Sequence, residues 1–320
     1  MRSPSANNST RRARLALILR IAAAILVLGV LFHFLPVRQV RAALRSLPVH
    51  LLVLVLAGYL ASHFVASQKW RLMVNLAGSG LSVLQAARCY FAGLFSMLFL
   101  PSIVGGDVVR ATLALRMGRS KAGVLVGSLL DRILDMLALG ILTILGAIWI
   151  PGSLSPASSR AFYLIGAAGA VLAIAAAIIF LLLPARRFSF RIRRWLVELR
   201  EAQRTISARP GFVGVAYLLA IGVQVALIVL TVTLANAAGL HLAFRYWLFA
   251  WPMAKISALI PLTQGGIGVR EAALAGLLLP FGAPAALTVA VGLAWEGVTI
   301  TGALLGGLAS YFIGKSSFDE

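Results

Sequence analysis

The chain consists of long apolar runs separated by short polar segments. A helix that crosses the hydrocarbon core of a bilayer needs about twenty predominantly apolar residues. Six runs meet that length: residues 15–35, 47–67, 122–150, 161–183, 211–236 and 285–313. Two further runs, residues 84–100 and 244–260, are each followed by proline, a double glycine and a charged stretch. The pattern predicts an all-α polytopic integral membrane protein with six to eight transmembrane helices.

A motif relates the two shorter runs to each other. Residues 101–110 (PSIVGGDVVR) and 261–270 (PLTQGGIGVR) both read P-x-x-x-G-G-x-x-V-R, and their spacing is half of the 320-residue chain. A match of this kind at the half-length offset indicates an internal duplication. The repeat halves are predicted at residues 47–150 and 211–313.

The charges indicate how the chain is oriented. Lysine and arginine number 29 against nine acidic residues, a net charge of +20, which in a membrane protein favours cytoplasmic loops over a nucleic-acid partner. Eight arginines lie in the linker at residues 186–209, so this linker and the basic N-terminus at residues 1–14 are predicted to be cytoplasmic. The stretch 68–71 (QKWR) closes the second run like an interfacial anchor, with its tryptophan at headgroup depth. We expect a single multi-pass domain at residues 15–313 in the cell membrane, followed by a tail at residues 314–320.

The loops also predict the path of the two hairpins. The uncharged segment 151–159 is expected to be external, which places residues 110–121 near the cytoplasmic side. These placements agree only if residues 84–117 enter and leave on one side, as a re-entrant hairpin broken at its proline and its double glycine. The second hairpin, residues 244–280, then enters from the opposite side, and the halves form an inverted-topology repeat. An ordinary arrangement of eight or more spans stays open.

Five of the nine acidic residues lie at or within membrane depth, where an ionisable group costs at least about 2.5–3.5 kcal/mol at a helix centre. They are Asp107, Asp131, Asp135, Glu271 and Glu296. Such groups normally face partners or a wet cavity, so we treat all five as functional candidates.

An arginine and a carboxylate follow each double glycine within a few residues. The set is Gly105, Gly106, Asp107 and Arg110 in the first half, and Gly265, Gly266, Arg270 and Glu271 in the second. Guanidinium groups have a planar fork suited to phosphate. The hypothesis is that this set holds an anionic lipid headgroup in a cleft between the halves. The alternative is that each arginine and its carboxylate form a self-neutralising pair that makes a broken helix tolerable.

The other membrane charges are predicted to form ion pairs or a coupling site. Asp131 and Asp135 lie one helical turn apart and need a cation or a shared proton, and Arg132 can reach Asp135 at i, i+3. This group is either a proton or sodium coupling site or a structural cluster. Lys255 is expected to pair with Glu296.

The composition and the motifs argue against an enzyme. With 61% hydrophobic and 12% charged residues, a soluble enzyme is excluded. No catalytic signature or metal-ligand spacing occurs in the sequence, so neither a catalytic residue, a metal nor a cofactor is predicted.

These motifs resemble those of the flippase-like transmembrane family typified by the N-terminal membrane domain of bacterial lysylphosphatidylglycerol synthetases. The family pattern looks like P-x-x-x-G-G-D-x-x-R with a downstream D-R, and P-x-x-x-G-G-x-G-x-R-E; here it corresponds to residues 101–110 with Asp131-Arg132, and to residues 261–271. The resemblance covers residues 15–313, without the aminoacyl-transferase domain. Since that domain is absent, the resemblance implies lipid translocation between leaflets rather than lipid synthesis. Relatives are associated with aminoacylated phospholipids, polyprenyl-linked sugars and hopanoid-type lipids.

The expected partners are therefore anionic or polyprenyl-linked membrane lipids. Two alternatives stay open. One is a membrane-embedded transferase that acts on a lipid-linked sugar, with Asp107 or Glu271 as its base. The other is an accessory subunit of a separate lipid-modifying enzyme or glycosyltransferase.

Overall fold

The structure is a computed structural model that describes residues 37–100, 103–150, 190–258 and 268–316. Ten α-helices lie within these residues, together with a short 3₁₀ turn at Leu279–Phe281. The helices are α1 (Val37–Arg45), α2 (Val49–Leu76), α3 (Val83–Ser96), α4 (Ile103–Met117), α5 (Lys121–Ile148), α6 (Phe190–Ser207), α7 (Pro210–Ala237), α8 (Phe244–Ser257), α9 (Val269–Leu278) and α10 (Ala285–Ser316). The predicted spans at residues 15–35 and 161–183 lie outside the described residues, as do Pro101, Gly265 and Gly266.

Of the helices that the structure describes, α2, α7 and α10 are long and apolar enough to cross a membrane. Helix α5 has the same 28-residue length as α2 and α7, but it carries Asp131, Arg132 and Asp135 near its middle. The predicted runs at residues 122–150, 211–236 and 285–313 agree with α5, α7 and α10. These findings confirm a helical membrane protein.

Local sequence explains where several helices begin. Ser82 caps α3: its hydroxyl accepts the backbone N–H of Gln85, and the Gln85 side chain accepts the N–H of Ser82. Ser120 caps α5 by accepting the N–H of Gly123 at 2.9 Å. Pro210 occupies the first turn of α7, where its missing N–H costs nothing.

One pair of short helices lies between α2 and α5 along the chain, and another lies between α7 and α10. Helix α3 packs on α4, and α8 packs on α9. Helices α3 and α8 have 14 residues each, α4 has 15 and α9 has 10, so at 1.5 Å per residue none reaches the roughly 30 Å of a hydrocarbon core. The four short helices therefore differ in kind from the spans.

Contacts between the halves follow one scheme. Helix α3 packs on α10, and α8 packs on α5, while α2 packs directly on α7. Glycines allow these approaches: a Cβ on Gly146 would lie 2.4 Å from the backbone nitrogen of Phe249, and one on Gly307 would lie 2.6 Å from the ring of Phe95. The first short helix of each half is thus held against the last long helix of the other half.

Candidate functional site

The first hairpin places charged residues beside a close contact between two helices. A Cβ on Gly106 would lie 2.7 Å from the carbonyl oxygen of Gly93, so α3 and α4 touch there through their backbones. Ala86 and Cys89 of α3 share a buried cluster with Ala114 of α4, so the two helices run antiparallel. The expectation that Gly105-Gly106 breaks the helix is wrong, because α4 begins at Ile103 and runs through both glycines. Their small size serves the close approach of α3 rather than a break.

Six side chains from α2, α4 and α5 form what we call the first charged cluster. Its members are Lys69, Asp107, Arg110, Asp131, Arg132 and Asp135. Three are cations and three are carboxylates, so the cluster is balanced in charge. The structure thus brings together five residues that the sequence singled out and adds Lys69.

Lys69 is the centre of this cluster. Its Nζ lies 2.8 Å from Asp131 Oδ1 and 2.5 Å from Asp135 Oδ1, and both Lys69 and Asp131 are only 1% exposed. The prediction of an interfacial anchor is therefore wrong: α2 continues past residue 67 to Leu76, and Lys69 and Trp70 are buried. Lys69 supplies the cation that the two neighbouring aspartates require.

Arg110 lies between the carboxylates and two aromatic rings. Its Nη2 is 3.2 Å from Asp107 Oδ1 and 3.5 Å from Asp131 Oδ2. Its guanidinium carbon lies 4.9 Å from the centre of the Trp70 ring and 5.2 Å from that of Tyr90, distances that allow cation–π attraction. The Nε of this buried side chain has no hydrogen-bond partner among the described residues.

Asp107 is held mainly by another arginine. Arg132 Nε donates to Asp107 Oδ2 at 2.5 Å, and its Nη2 donates to the other carboxylate oxygen, a bidentate arrangement. Arg132 Nη1 also lies 3.9 Å from Asp135, as its i, i+3 spacing predicts. Both oxygens of Asp107 are therefore engaged.

Arg270, Glu271 and Glu296 form the second charged cluster. Arg270 Nη2 lies 2.9 Å from Glu271 Oε1 and 2.7 Å from Glu296 Oε2, which joins α9 to α10. Glu271 is fully buried and also accepts the backbone N–H of Gly268 at 2.7 Å, across the first turn of α9. The positive φ of +85° at Gly268 favours glycine in that turn.

The predicted pair between Lys255 and Glu296 is not formed. Glu296 pairs with Arg270, whereas Lys255 Nζ donates to Gln224 Oε1 of α7 at 2.9 Å and lies 4.8 Å from the centre of the Trp251 ring. Pairing across the bundle depends on helix rotation, which charge and spacing do not specify.

A row of aromatic residues joins the two charged clusters. Tyr90, which contacts Arg110, lies 5.9 Å from His63, and His63 lies 4.3 Å from Tyr59, as ring-centre distances. Tyr59 lies 5.8 Å from Trp295, the neighbour of Glu296 in α10. The Nδ1 of His63 is buried without a hydrogen-bond partner in the part of the chain that the structure describes. The sequence around His63 has no metal-ligand spacing and favours a packing role, which agrees with its contacts to these rings.

The arrangement suits electrostatic binding. Arg110 and Arg270 lie in different clusters and share no contact among the described residues. No group of histidine, cysteine and acidic residues suited to a metal occurs in residues 37–100, 103–150, 190–258 and 268–316. A guanidinium group beside aromatic rings, such as that of Arg110, can bind a phosphate or carboxylate that competes with the resident carboxylates.

Comparison with known proteins gives one match. A protein-family model described as "Lysylphosphatidylglycerol synthase TM region" matches residues 17–307. No curated protein and no solved structure matches the chain.

Proposed function

We propose that this chain, which belongs to the lysylphosphatidylglycerol synthase TM-region family, is a lipid transporter that moves an anionic or lipid-linked headgroup between the leaflets of the cell membrane. The observation that carries the proposal is the pair of charged clusters inside a helical membrane protein, joined by a row of aromatic residues. Ionisable groups at membrane depth mark pathways for polar cargo.

The helices suggest the geometry of this transporter. The series α2 to α5 and the series α7 to α10 have the same order of one long, two short and one long helix. The short pairs α3–α4 and α8–α9 are re-entrant hairpins, and the two series form an inverted repeat with the basic linker and the N-terminus on the cytoplasmic side. Transporters built this way place their substrate near the midplane, at the interface of the repeats.

The headgroup would bind where the two series meet. Arg110 and Arg270 stand on the second helix of each hairpin, and the rings of Tyr90, His63 and Tyr59 line the path between their clusters. A phosphate would take the place of a carboxylate on the guanidinium fork. Acyl or prenyl tails would remain in the surrounding lipid.

The contacts of the carboxylates favour transport over transferase chemistry. A general base needs an oxygen that is free to accept a substrate proton. Asp107 is bound through both oxygens by Arg132, and Glu271 is bound by Arg270 and by the N–H of Gly268. To act as a base, either carboxylate would have to weaken these charge-assisted bonds.

The test is transport of a fluorescent phosphatidylglycerol in proteoliposomes, measured by quenching of the label in the outer leaflet. We expect Arg110→Ala combined with Arg270→Ala to abolish transport, since both forks are lost. The matched control is Arg38→Ala with Arg41→Ala, which removes two exposed arginines from α1 and should leave transport unchanged.

A second variant distinguishes loss of transport from loss of the folded state. Arg110→Lys with Arg270→Lys keeps both charges but removes the forks, so we expect a folded protein with reduced transport. Transport that survives in the folded alanine variant would refute the roles of the arginines. Absence of transport by the wild-type chain, together with copurification of a lipid-modifying enzyme, would support the accessory-subunit alternative instead.

A further inference from the structure

A crevice of about 590 Å³ lies on the outside of the bundle, where α3, α4 and α10 meet. Its volume is within the range of small-molecule sites. The apolar part of its wall comes from Phe95, Val109 and Leu113, and its other end carries Arg88 and Lys315. Arg88 lies against Gly314 and Phe95 lies against Gly307, so the cations are at one end of the crevice and the Phe95 ring is at the other.

The cationic end is built by close packing of α3 on α10. The hydroxyl of Ser310 donates to the backbone carbonyl of Arg88 at 3.0 Å. A Cβ on Gly314 would lie 2.7 Å from the guanidinium carbon of Arg88, so the glycine lets this group lie flat on the backbone of α10. Lys315 follows in the last turn of the same helix. The fold thus brings a guanidinium and an ammonium group to the rim of one crevice.

Among the residues that the structure describes, these two cations have no acidic partner. No carboxylate among the described residues lies within ion-pair distance of Arg88 or Lys315. In the first charged cluster, in contrast, each cation lies within ion-pair distance of a carboxylate of the same cluster. An anion is the ligand that complements such an end.

The flanks of the crevice indicate that it opens to lipid. Val108 and Leu308, which neighbour its lining on α4 and α10, are 59% and 56% exposed, and exposed apolar side chains of a membrane-spanning chain face hydrocarbon. Tyr311 lines the crevice next to the cationic end, a position typical of the membrane interface. A ligand that enters from this side has to be amphipathic.

The cation at Arg88 is not repeated in the second half of the chain. At the 160-residue offset of the two motifs, the position equivalent to Arg88 is Leu248 of α8. Helix α8 therefore has an aliphatic side chain where α3 has a cation. This asymmetry separates the crevice from the paired arginines of the proposed transport site.

We propose that this crevice is a binding site for one anionic membrane phospholipid, whose phosphate contacts Arg88 and Lys315 and whose acyl chain lies along Phe95, Val109 and Leu113. The site is independent of the proposed transport function. Because α3 is the first helix of the first hairpin, the bound lipid braces that hairpin against α10.

The experiment is native mass spectrometry of the purified full chain in detergent, titrated with dioleoyl phosphatidylglycerol or with dioleoyl phosphatidylcholine. We expect one phosphatidylglycerol to bind at least about tenfold more tightly than phosphatidylcholine, since charge-assisted contacts favour the anion. Arg88→Gln with Lys315→Gln should remove this preference. Lys315→Gln alone changes an exposed side chain, so the fold is kept, and it should reduce the preference in part.

Two further variants test the site. Ala92→Phe adds a ring to the crevice wall while keeping both cations, and it should weaken binding of the long-chain lipid. Arg204→Gln with Arg209→Gln removes two exposed charges from α6 and the residues after it and should leave the preference intact.

Three results would overturn the proposal. They are equal binding of both lipids by the wild type, an equal loss of preference in the Arg204 and Arg209 control, and full competition by free glycerol phosphate, which would identify a site for a soluble anion. None of them bears on transport.

Discussion

Replacement of Lys69 by methionine is the most direct test of the first charged cluster. Lys69→Met keeps an unbranched apolar side chain of similar length but removes the ammonium group that lies 2.8 Å from Asp131 and 2.5 Å from Asp135. Two carboxylates one helical turn apart would then face each other in the interior without their shared cation. We expect a strong loss of stability.

The structure gives the size of this loss. Removal of one partner from a buried ion pair costs about 3–5 kcal/mol, because the remaining charge is left uncompensated. Arg110 stays 3.5 Å from Asp131, and Arg132 stays 3.9 Å from Asp135, so part of the compensation survives. We therefore expect the lower end, about 3 kcal/mol.

The assay is thermal unfolding of the purified protein in detergent, followed by tryptophan fluorescence. Lys121→Met, which removes an exposed lysine from the first turn of α5, is the control and should unfold at the wild-type temperature. Adding Asp131→Asn and Asp135→Asn to Lys69→Met removes the repulsion and should restore most of the lost stability. The reasoning is refuted if the single variant is as stable as the wild type, or if the triple variant is no more stable than the single one.

Four other substitutions have defined outcomes in the same unfolding assay. Gly127→Ala places a Cβ 2.6 Å from the backbone of α2 and should cost about 1–3 kcal/mol, whereas Gly140→Ala, on the same helix with nothing within 4 Å, should be neutral or stabilising by up to about 1 kcal/mol. Glu271→Gln weakens charge-assisted bonds to Arg270 and to a backbone N–H, and it should cost about 2 kcal/mol. Trp70→Phe loses the 2.9 Å bond to a serine hydroxyl of α5 but keeps a ring beside Arg110, so a loss of about 1 kcal/mol is expected.

The long helices could be predicted from apolar run length alone. Backbone groups inside a bilayer have to be hydrogen-bonded within their own segment, so a run such as residues 211–236 leaves helix as the solution, and α7 covers it. The end of α2 could not be predicted in this way. The stretch around Lys69 and Trp70 has the composition of an interfacial anchor, and only the packing of α4 and α5 against it makes the site a buried one.

The members of the charged clusters could be predicted better than their partners. Asp107, Asp131 and Glu296 stood out because a carboxylate at membrane depth is costly. Which cation faces each of them depends on how the helices are rotated, and for that reason Glu296 was assigned to Lys255 and not to Arg270. The sequence does not mark His63, because its ring contacts are with Tyr59 one turn earlier on α2 and with Tyr90 of α3.

The two motif arginines differ in whether their carboxylate partners keep a cation when the arginine binds a ligand. Both partners of Arg110 have a second cation, because Lys69 holds Asp131 and Arg132 holds Asp107. Arg110 can therefore bind a phosphate while each of its carboxylate partners keeps another cation. Its Nε has no hydrogen-bond partner among the described residues. Glu296 has no second cation within ion-pair distance among the described residues.

Arg270 is therefore expected to contribute more to the stability of the fold than Arg110. We expect Arg110→Gln to reduce transport of phosphatidylglycerol with little change in the unfolding temperature, and Arg270→Gln to lower that temperature by leaving Glu296 uncompensated. Measurement of both quantities on both variants checks this assignment. Equal destabilisation by the two substitutions would mean that Lys69 and Arg132 do not compensate the carboxylates of the first cluster without Arg110. Arg110 would then contribute as much to the stability of the fold as Arg270.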